Sequence, residues 1–233
     1  MSDMRWRIAQ DAELSDWKQA CIPSEQFSRD GWNAYVGFQD LTLVELERLK
    51  PSRCLEIGCG PFGIIHFLDT PGIRVGIDPL MLMFESSGYV DRRGVCRVAG
   101  VGEQLPFDND SFDLIFCINV LDHVQSPQAV VREMLRILRP QTGLLVLEVF
   151  GLASTFVPLR PVLDRLDNPH PHHPTLSELK ALLVREGGRI EYERADKRRA
   201  YRIELSTLRS VRAWRHLVSN WLHLRIALRA RKG

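Results

Sequence analysis

The sequence has no apolar run long enough to cross a membrane and no stretch that resembles a secretory signal. A transmembrane helix needs about 20 consecutive apolar residues. The segment from Met1 to Trp17 is amphipathic and mixed in charge, unlike a signal peptide. The composition, 45% hydrophobic and 26% charged, is typical of a globular domain with a buried core. We therefore expect one compact domain that is made and kept in the cytoplasm.

The sequence also lacks any Cys-x-x-Cys pair. Its five cysteines are odd in number, and several of them fall in expected core strands. This pattern indicates reduced, partly buried thiols rather than a disulfide framework. The cysteines are Cys21, Cys54, Cys59, Cys96 and Cys117.

Residues 205–233 contain no Asp or Glu, whereas the whole chain has nearly balanced charges and a net charge of +2. The basic charge is therefore concentrated in this tail, and the rest of the chain is mildly acidic. An acidic body argues against a nucleic acid as the substrate. The basic residues of the tail are Arg209, Arg212, Arg215, Arg225, Arg229, Arg231 and Lys232.

Apolar residues in this tail recur at spacings of three and four, which predicts a basic amphipathic helix over residues 208–233. Such a helix contacts either an anionic membrane surface, as a peripheral anchor, or the protein's own sheet, with its arginines in solvent. The apolar stripe consists of Trp214, Leu217, Val218, Trp221, Leu224 and Leu228.

Strand patterns and helix patterns alternate between residues 51 and 207, which predicts a Rossmann-like three-layer α/β sandwich. A close pair of strands at its end predicts an antiparallel hairpin beside an otherwise parallel, seven-stranded sheet. Residues 1–50 are expected to form a helical cap, with a loop between its two helices. The expected strands are 53–57, 74–78, 95–99, 112–118, 143–150, 189–196 and 200–206. The expected helices are 4–20, 39–50, one beginning at Ile64, 127–138 and 175–186.

A glycine-rich turn follows the first of these strands. Gly58-Cys59-Gly60-Pro61-Phe62-Gly63 satisfies G-x-G-x-x-G and precedes Asp78 by about 20 residues. This signal alone is shared with dinucleotide-binding domains, in which the acidic residue binds ribose hydroxyls. Glu56 argues against a dinucleotide as the ligand. A carboxylate two residues before the first glycine suits a ligand with a cationic amino acid end better than a pyrophosphate.

Four segments along the chain resemble, in the same order, segments of the class I S-adenosylmethionine-dependent methyltransferases, in particular of the methyltransferase type 11 subgroup. The most specific is Glu103-Gln104-Leu105-Pro106-Phe107-Asp108-Asn109-Asp110-Ser111-Phe112-Asp113-Leu114-Ile115. The other three are Cys54-Leu55-Glu56-Ile57-Gly58-Cys59-Gly60, Val75-Gly76-Ile77-Asp78, and Arg136-Ile137-Leu138-Arg139-Pro140 with Gly143-Leu144-Leu145-Val146. The resemblance implies the fold, S-adenosylmethionine as cofactor, and methyl transfer.

The resemblance also implies which residues bind the cofactor. It departs from the family pattern at Val101, where the family usually has an Asp that accepts from the adenine amino group. Backbone groups or Glu103 would then be the partners of adenine. The implied cofactor-binding residues are Glu56, Gly58, Cys59, Gly60, Asp78, Pro79, Gly102, Glu103 and Asn119.

Histidines mark two segments where an acceptor could bind. His123 follows the fourth strand, where it has either a structural or cofactor-loop role, which is favoured, or the role of a general base, which its ordinary pKa range suits. His170, His172 and His173 lie between prolines after the fifth strand. They are acceptor contacts or a base, part of a rigid loop before a helix capped by Thr175 and Glu178, or, least favoured, a metal site. No acidic or Cys partner is spaced with them, so no metal is predicted.

The opening residues 6–13 with Trp17, and the run from His170 to Thr175, resemble methyltransferases of bacterial surface-polysaccharide modification. The sequence therefore predicts methyl transfer to a small-molecule, glycan or glycolipid acceptor, at a hydroxyl oxygen. Two rival hypotheses remain. One is a degenerate S-adenosylmethionine-binding partner or scaffold protein, motivated by Val101. The other is an NAD(P)-dependent oxidoreductase, which Glu56 and the Leu105-Pro106-Phe107 run disfavour.

Overall fold

Seven strands form one sheet in the computed structural model, which describes residues 3–19, 28–88, 94–166, 170–197 and 222–233. The strands are β1 (Arg53–Ile57), β2 (Ile73–Asp78), β3 (Cys96–Ala99), β4 (Leu114–Ile118), β5 (Leu144–Leu152), β6 (Gly188–Lys197) and β7 (His223–Lys232). Their order in the sheet is β3-β2-β1-β4-β5-β7-β6. The pairs among β1 to β5 are parallel, and β7 runs antiparallel to both of its neighbours.

The direction of chain winding reverses between β1 and β4. From β1 the chain proceeds outward through β2 to β3, and then returns to place β4 and β5 on the other side of β1. In open parallel sheets, ligands bind in the crevice outside the carboxyl ends of the strands at such a switch point. The turns that follow β1, β2 and β4 therefore meet at one edge of the sheet.

Helices cover both faces of the sheet, as predicted for a three-layer sandwich. β4 is buried along its whole length, which explains its continuous apolar sequence. One core cluster joins β1, β2, β4 and β5 to the helices near residues 127–137 and 176–185, and a second joins the sheet to residues 36–46. The helices are α1 (Asp3–Gln19), α2 (Arg29–Val36), α3 (Leu43–Arg48), α4 (Met81–Ser86), α5 (Pro127–Ile137), α6 (Arg160–Leu166) and α7 (Leu176–Arg185).

Local sequence signals set the ends of the two longest helices that pack on the core. α5 begins with Pro127, after Ser126, whose side chain accepts from the Ala129 N–H. α7 begins after Thr175, which exchanges hydrogen bonds with Glu178 in a capping box. The capping box predicted before residue 176 is confirmed.

Two predictions for the first half of the chain were wrong in detail. The expected loop around Gly31 contains the helix α2. The helix expected from Ile64 is a single 3-10 turn, Ile64–His66. The turn-forming run from Asp69 to Gly72 follows at once and leaves little chain for a longer helix.

The predicted C-terminal helix was wrong over residues 222–233, where the chain forms the strand β7. Leu224, Ile226, Leu228 and Ala230 alternate with more polar positions, and this period of two is typical of a strand. Leu228 is fully buried between β5 and β6.

The interfacial-helix interpretation therefore loses two residues of its apolar stripe to the sheet. Residues 208–221, which hold the rest of the stripe, lie outside the described residues, as does the expected strand 200–206. The partner of β6 is β7. Within the described ranges, no helix is long and apolar enough to span a membrane.

Candidate functional site

A cavity opens at the carboxyl edge of the sheet, at the switch point of the chain. It encloses about 560 Å³ of space, part of it open to solvent. Its wall consists of Trp6, Gln10, Glu13, Ile57, Gly58, Asp78, Pro79, Leu80, Gly100, Val101, Gly102, Glu103, Asn119, Val120, His123 and Val124.

The glycine turn after β1 brings bare backbone to this cavity. Gly58 and Gly60 both have positive φ angles, 66° and 50°, which glycine adopts without strain. The Gly58 N–H donates to the Ile77 carbonyl at 2.8 Å and so ties the turn to β2. A Cβ atom on Gly58 would overlap the side chain of Val120. Glycine is therefore required at residue 58 both by the turn and by the close approach of the chain after β4.

Asp78 ends β2 with its carboxylate fixed at the cavity. The Gly60 N–H donates to Oδ2 at 2.9 Å, and the Leu80 N–H donates to Oδ1 at 2.8 Å. Asp78 is 7% exposed, and burial raises its pKa to about 6, against the two backbone hydrogen bonds that lower it. Above that pH the group is an oriented carboxylate, which suits it to accept hydrogen bonds from ligand hydroxyls.

Glu56 lies behind the glycine turn and not in the wall of the cavity. It is 2% exposed, and its oxygens accept from the N–H groups of Ile64 and Ile65 at 3.2 and 2.9 Å. A Cβ atom on Gly63 would overlap this carboxylate. Glu56 thus fixes the shape of the turn, and burial raises its pKa to about 8.

This raised pKa predicts that stability depends on pH. Glu56 binds its proton more tightly in the folded chain than in the unfolded chain, whose pKa is near 4.5. The stabilisation is therefore complete below pH 4.5 and is lost as pH rises towards about 8. This single group makes the free energy of unfolding fall by up to about 1.4 kcal/mol per pH unit in that window.

In Glu56→Gln, we expect urea denaturation at several pH values to show a shallower fall than in the wild-type protein. Glu85→Gln, a change at an exposed glutamate, is the matched control and should keep the wild-type slope. Equal slopes for all three proteins would contradict the assignment of the buried proton to Glu56.

Cys59 and Gly60 also lie outside the cavity wall. The Cys59 thiol is buried, and burial raises its pKa well above the ordinary value. Its Sγ occupies the space that a Cβ atom on Gly76 would need. Cys59 is therefore a packed, protonated thiol, which is consistent with a loop residue rather than a nucleophile. Of the other cysteines, Cys54, Cys96 and Cys117 are free, and Cys21 lies outside the described residues.

The predicted adenine side of the cavity contains Val101, Gly102 and Glu103. Glu103 is held at the start of α5, where its Oε1 accepts from the N–H groups of Gln125 and Ser126 at 2.7 and 3.2 Å. This carboxylate therefore ties the segment after β3 to the residues just before α5. Val101 presents an apolar side chain to the cavity where the family pattern has an acid.

Helix α1 supplies part of the wall that sequence reasoning missed. Trp6, Gln10 and Glu13 all line the cavity. Their spacing of four and three residues places them on one helix face. That spacing was the available signal, but no motif connected this helix to the glycine turn.

The four predicted histidines fall into two groups. His123 lines the cavity, and its ring centroid is 4.8 Å from that of His170. The other two lie beside a second cavity that includes Arg160 and Leu179. There the His172 Nε2 is 2.9 Å from the Val124 carbonyl oxygen, and the His173 Nδ1 is 2.9 Å from Asp164 Oδ1. Of the four predicted histidines, His123 and His170 therefore lie together at the first cavity, and His172 and His173 lie at the second.

Asn119 ends β4 in a left-handed conformation, with a φ angle of 58°. Asn tolerates this region better than most residues. Its N–H donates to the Glu148 carbonyl at 2.7 Å, which ties the end of β4 to β5. Asn119 is exposed and lines the cavity. Pro79 lines the cavity beside Asp78, as the sequence predicts.

Comparisons with known proteins agree with this geometry. Residues 55–147, from β1 into β5, match a family model described as a methyltransferase domain. An uncharacterized methyltransferase of Bacillus subtilis, YcgJ, is 34% identical over 144 residues, which cover 56% of this chain and 54% of that protein. The chain spans about half the length of the curated relatives it matches.

Solved structures show the same fold over more of the chain. The crystal structure of YcgJ has a TM-score of 0.57 at 18% identity and covers 82% of this chain and 97% of that one. A putative sarcosine dimethylglycine methyltransferase of Galdieria sulphuraria gives 0.61 at 16%, covering 88% and 85%. Phosphoethanolamine N-methyltransferase 2 of Haemonchus contortus, in complex with S-adenosyl-L-methionine, gives 0.57 at 18%, covering 88% and 53%. These structures share with this chain a Rossmann-like α/β fold.

Proposed function

We propose that this protein transfers a methyl group from S-adenosylmethionine to a small-molecule or glycan acceptor, at a hydroxyl oxygen. The observation that carries the proposal is Asp78. Its carboxylate is fixed at the end of β2 by the Gly60 and Leu80 N–H groups and lines the cavity next to Gly58. This is the arrangement that binds a ribose at the switch point of a Rossmann-like sheet.

The charge of the cavity supports this cofactor over a dinucleotide. Three carboxylates line it, those of Glu13, Asp78 and Glu103, and no Lys or Arg is among the described residues of its wall. A pyrophosphate would meet acidic groups there, whereas a cationic ligand is favoured by them. The cavity therefore disfavours the NAD(P)-dependent oxidoreductase.

The residues present fit S-adenosylmethionine. The bare backbone at Gly58 leaves room for a closely approaching ligand, Asp78 would accept from the ribose hydroxyls, and Leu80 and Val101 offer apolar contacts to the adenine ring. When bound, S-adenosylmethionine supplies an electrophilic methyl group on a positive sulfonium. Glu56 supports this binding indirectly, since it holds the turn in shape.

The acceptor is proposed to bind beside His123 and His170. A hydroxyl nucleophile must lose its proton as it attacks, and it therefore needs an activating group near the methyl donor. Among the four predicted histidines, His123 alone lies in the wall of the cavity, and the ring of His170 lies tilted against it. Positioning in a partly closed cavity contributes the rest of the rate.

Val101 favours one second candidate, a degenerate protein that binds S-adenosylmethionine without turnover. The adenine amino group would lack its usual acidic partner at residue 101, which weakens cofactor selection. A methyl-transfer assay against alcohol, sugar and amine acceptors separates the two. Turnover with any of them supports the enzyme, and binding without turnover across the panel favours the degenerate protein.

Asp78→Ala should weaken the binding of both S-adenosylmethionine and S-adenosylhomocysteine by about 1.5–3 kcal/mol, because hydrogen bonds to a charged acceptor are lost. This corresponds to about a 10- to 150-fold rise in Kd, measured by calorimetry. Asp69→Ala, a change at an exposed aspartate away from the cavity, should bind like the wild-type protein. Unchanged binding in Asp78→Ala, or selective binding of NAD by the wild-type protein, would overturn the cofactor assignment.

A further inference from the structure

Three side chains able to bind a metal ion meet at the edge of the cavity. Asp122, His123 and His170 each offer a ligand atom, and these three atoms all lie within 4.8 Å of one another. The His123 Nε2 is 3.7 Å from Asp122 Oδ1. Asp122 and His123 belong to the turn after β4, and His170 belongs to the connection after β5. We call this group the Asp122–His123–His170 cluster.

The buried carboxylate of Asp122 points to a ligand. Asp122 is 2% exposed, and its Oδ1 atom has no hydrogen-bond partner among the described residues. The distance of 3.7 Å to His123 Nε2 is too long for a hydrogen bond. A buried polar atom without a partner is costly. A cation between Oδ1 and the two imidazoles would remove that cost.

The backbone around the cluster is held firmly enough to keep the ligand atoms together. The His172 N–H donates to the Asp122 carbonyl at 3.2 Å, and the His172 ring is 2.9 Å from the Val124 carbonyl oxygen. The His123 N–H donates to the Val120 carbonyl at 2.9 Å. These hydrogen bonds join the two connections that contribute the cluster, so His170 is positioned against His123.

We propose that the Asp122–His123–His170 cluster binds one divalent cation of the borderline class, such as Zn²⁺, and that this cation activates the acceptor. Two imidazoles and one carboxylate are a ligand set that zinc and its neighbours favour. Three protein ligands leave a coordination position open. Because His123 also lines the cavity, the open position adjoins the proposed acceptor site. The catalytic part of this proposal rests on the proposed function.

The cation acts as a Lewis acid on the oxygen of the acceptor hydroxyl. The acceptor hydroxyl oxygen binds at the open position, which lowers the pKa of that hydroxyl, and its proton passes to a solvent water molecule. The oxygen then forms a bond to the methyl carbon. The carbon–sulfur bond breaks with its electron pair on sulfur, and the sulfonium becomes a neutral thioether. The cation stays on its three ligands throughout.

Sequence reasoning predicted no metal because it considered His170 only with its near neighbours in the chain. The acidic partner comes from a different segment, 48 residues earlier, which only the fold brings into reach.

Calorimetric titration of the chelator-treated, full-length protein with Zn²⁺ alone tests the site without the cofactor. We expect one tight site per chain in the wild-type protein. His170→Gln and Asp122→Asn should each weaken it by at least about tenfold. Asp69→Asn, a change at an exposed aspartate outside the cluster, is the matched control for Asp122→Asn and should retain wild-type affinity. No binding, or equal binding by His170→Gln and the wild-type protein, overturns the proposal.

Two further measurements separate this proposal from the proposed function. Binding of S-adenosylmethionine should persist after chelation, whereas methyl transfer should fall by at least about 100-fold and return on addition of Zn²⁺. Full turnover in the chelated protein overturns the role of the cation. Failure to bind S-adenosylmethionine would overturn the proposed function, while the Zn²⁺ titration would still decide the metal site. Thermal unfolding of His170→Gln, monitored by circular dichroism, confirms that the variant is folded.

Discussion

Replacing either His123 or His170 by alanine should lower the rate of methyl transfer by about 10²–10⁴-fold, with affinity for S-adenosylmethionine nearly unchanged. The two rings lie together at the edge of the cavity, where the acceptor must lose its proton. In the proposed function, either as a base or as ligands to a cation, they act on the acceptor, whereas Asp78 is the residue proposed to bind the ribose. The expected loss is therefore in kcat and not in cofactor binding.

The other two histidines provide controls. His172 and His173 make hydrogen bonds to Val124 and Asp164 and lie beside the second cavity. Their glutamine variants should change thermal stability more than turnover. Initial rates with radiolabelled S-adenosylmethionine and an accepted alcohol, together with calorimetry of cofactor binding, make the comparison. Full activity in the alanine variants of both His123 and His170 would place the activating group elsewhere.

That Gly58 and Asp78 lie together at one cavity could be predicted from the sequence, because the signals on which this depends are contiguous. Gly58 directly follows β1 and Asp78 ends β2, and adjacent parallel strands bring their carboxyl ends to the same edge of a sheet. Glu56 was singled out for its chemistry, but its geometry could not be predicted. Its hydrogen bonds to Ile64 and Ile65 depend on a 3-10 turn that replaced the expected helix.

The acceptor side could not be predicted in the same way, because it depends on long-range packing. His170 meets His123 only because the connection after β5 folds back on the turn after β4. Likewise, Trp6 and Glu13 reach the cavity from a helix that precedes the sheet. No spacing along the chain encodes such meetings.

The C-terminal strand was missed for a different reason. In residues 223–232 two periods compete, since Leu224 and Leu228 fit a helical stripe, whereas Leu224, Ile226, Leu228 and Ala230 fit an alternating strand. The tertiary structure favours the strand, because it fills the gap between β5 and β6 and buries Leu228 and Ala230 completely. Arg225, which lies opposite Phe150 in the register, then reaches diagonally to Glu148 and forms an ion pair with it.

Loss of that ion pair predicts a large loss of stability. Glu148 is 1% exposed. The Arg225 guanidinium lies 4.1 Å from the ring centroid of Tyr35 and 4.2 Å from that of Phe38. It also donates to the Tyr35 carbonyl at 2.7 Å. Arg225 therefore also joins the segment that contains α2 to the sheet. Arg225→Met leaves the buried carboxylate without a cationic partner, which should lower the free energy of unfolding by about 3–5 kcal/mol.

The pH dependence and two controls identify the cause of this loss. Burial already raises the pKa of Glu148, and Arg225 opposes that rise, so its removal raises the pKa further. A raised pKa in the folded chain makes stability greatest in acid and lost as pH rises, so the deficit of Arg225→Met should shrink as pH is lowered.

The double variant Glu148→Gln/Arg225→Met should recover much of the loss, whereas Arg189→Met, at an exposed pair with Glu191, should cost about 1 kcal/mol or less. Urea denaturation of the four proteins measures these differences, and a pH-independent deficit, unrelieved in the double variant, would show that lost packing against Tyr35 and Phe38 accounts for it instead.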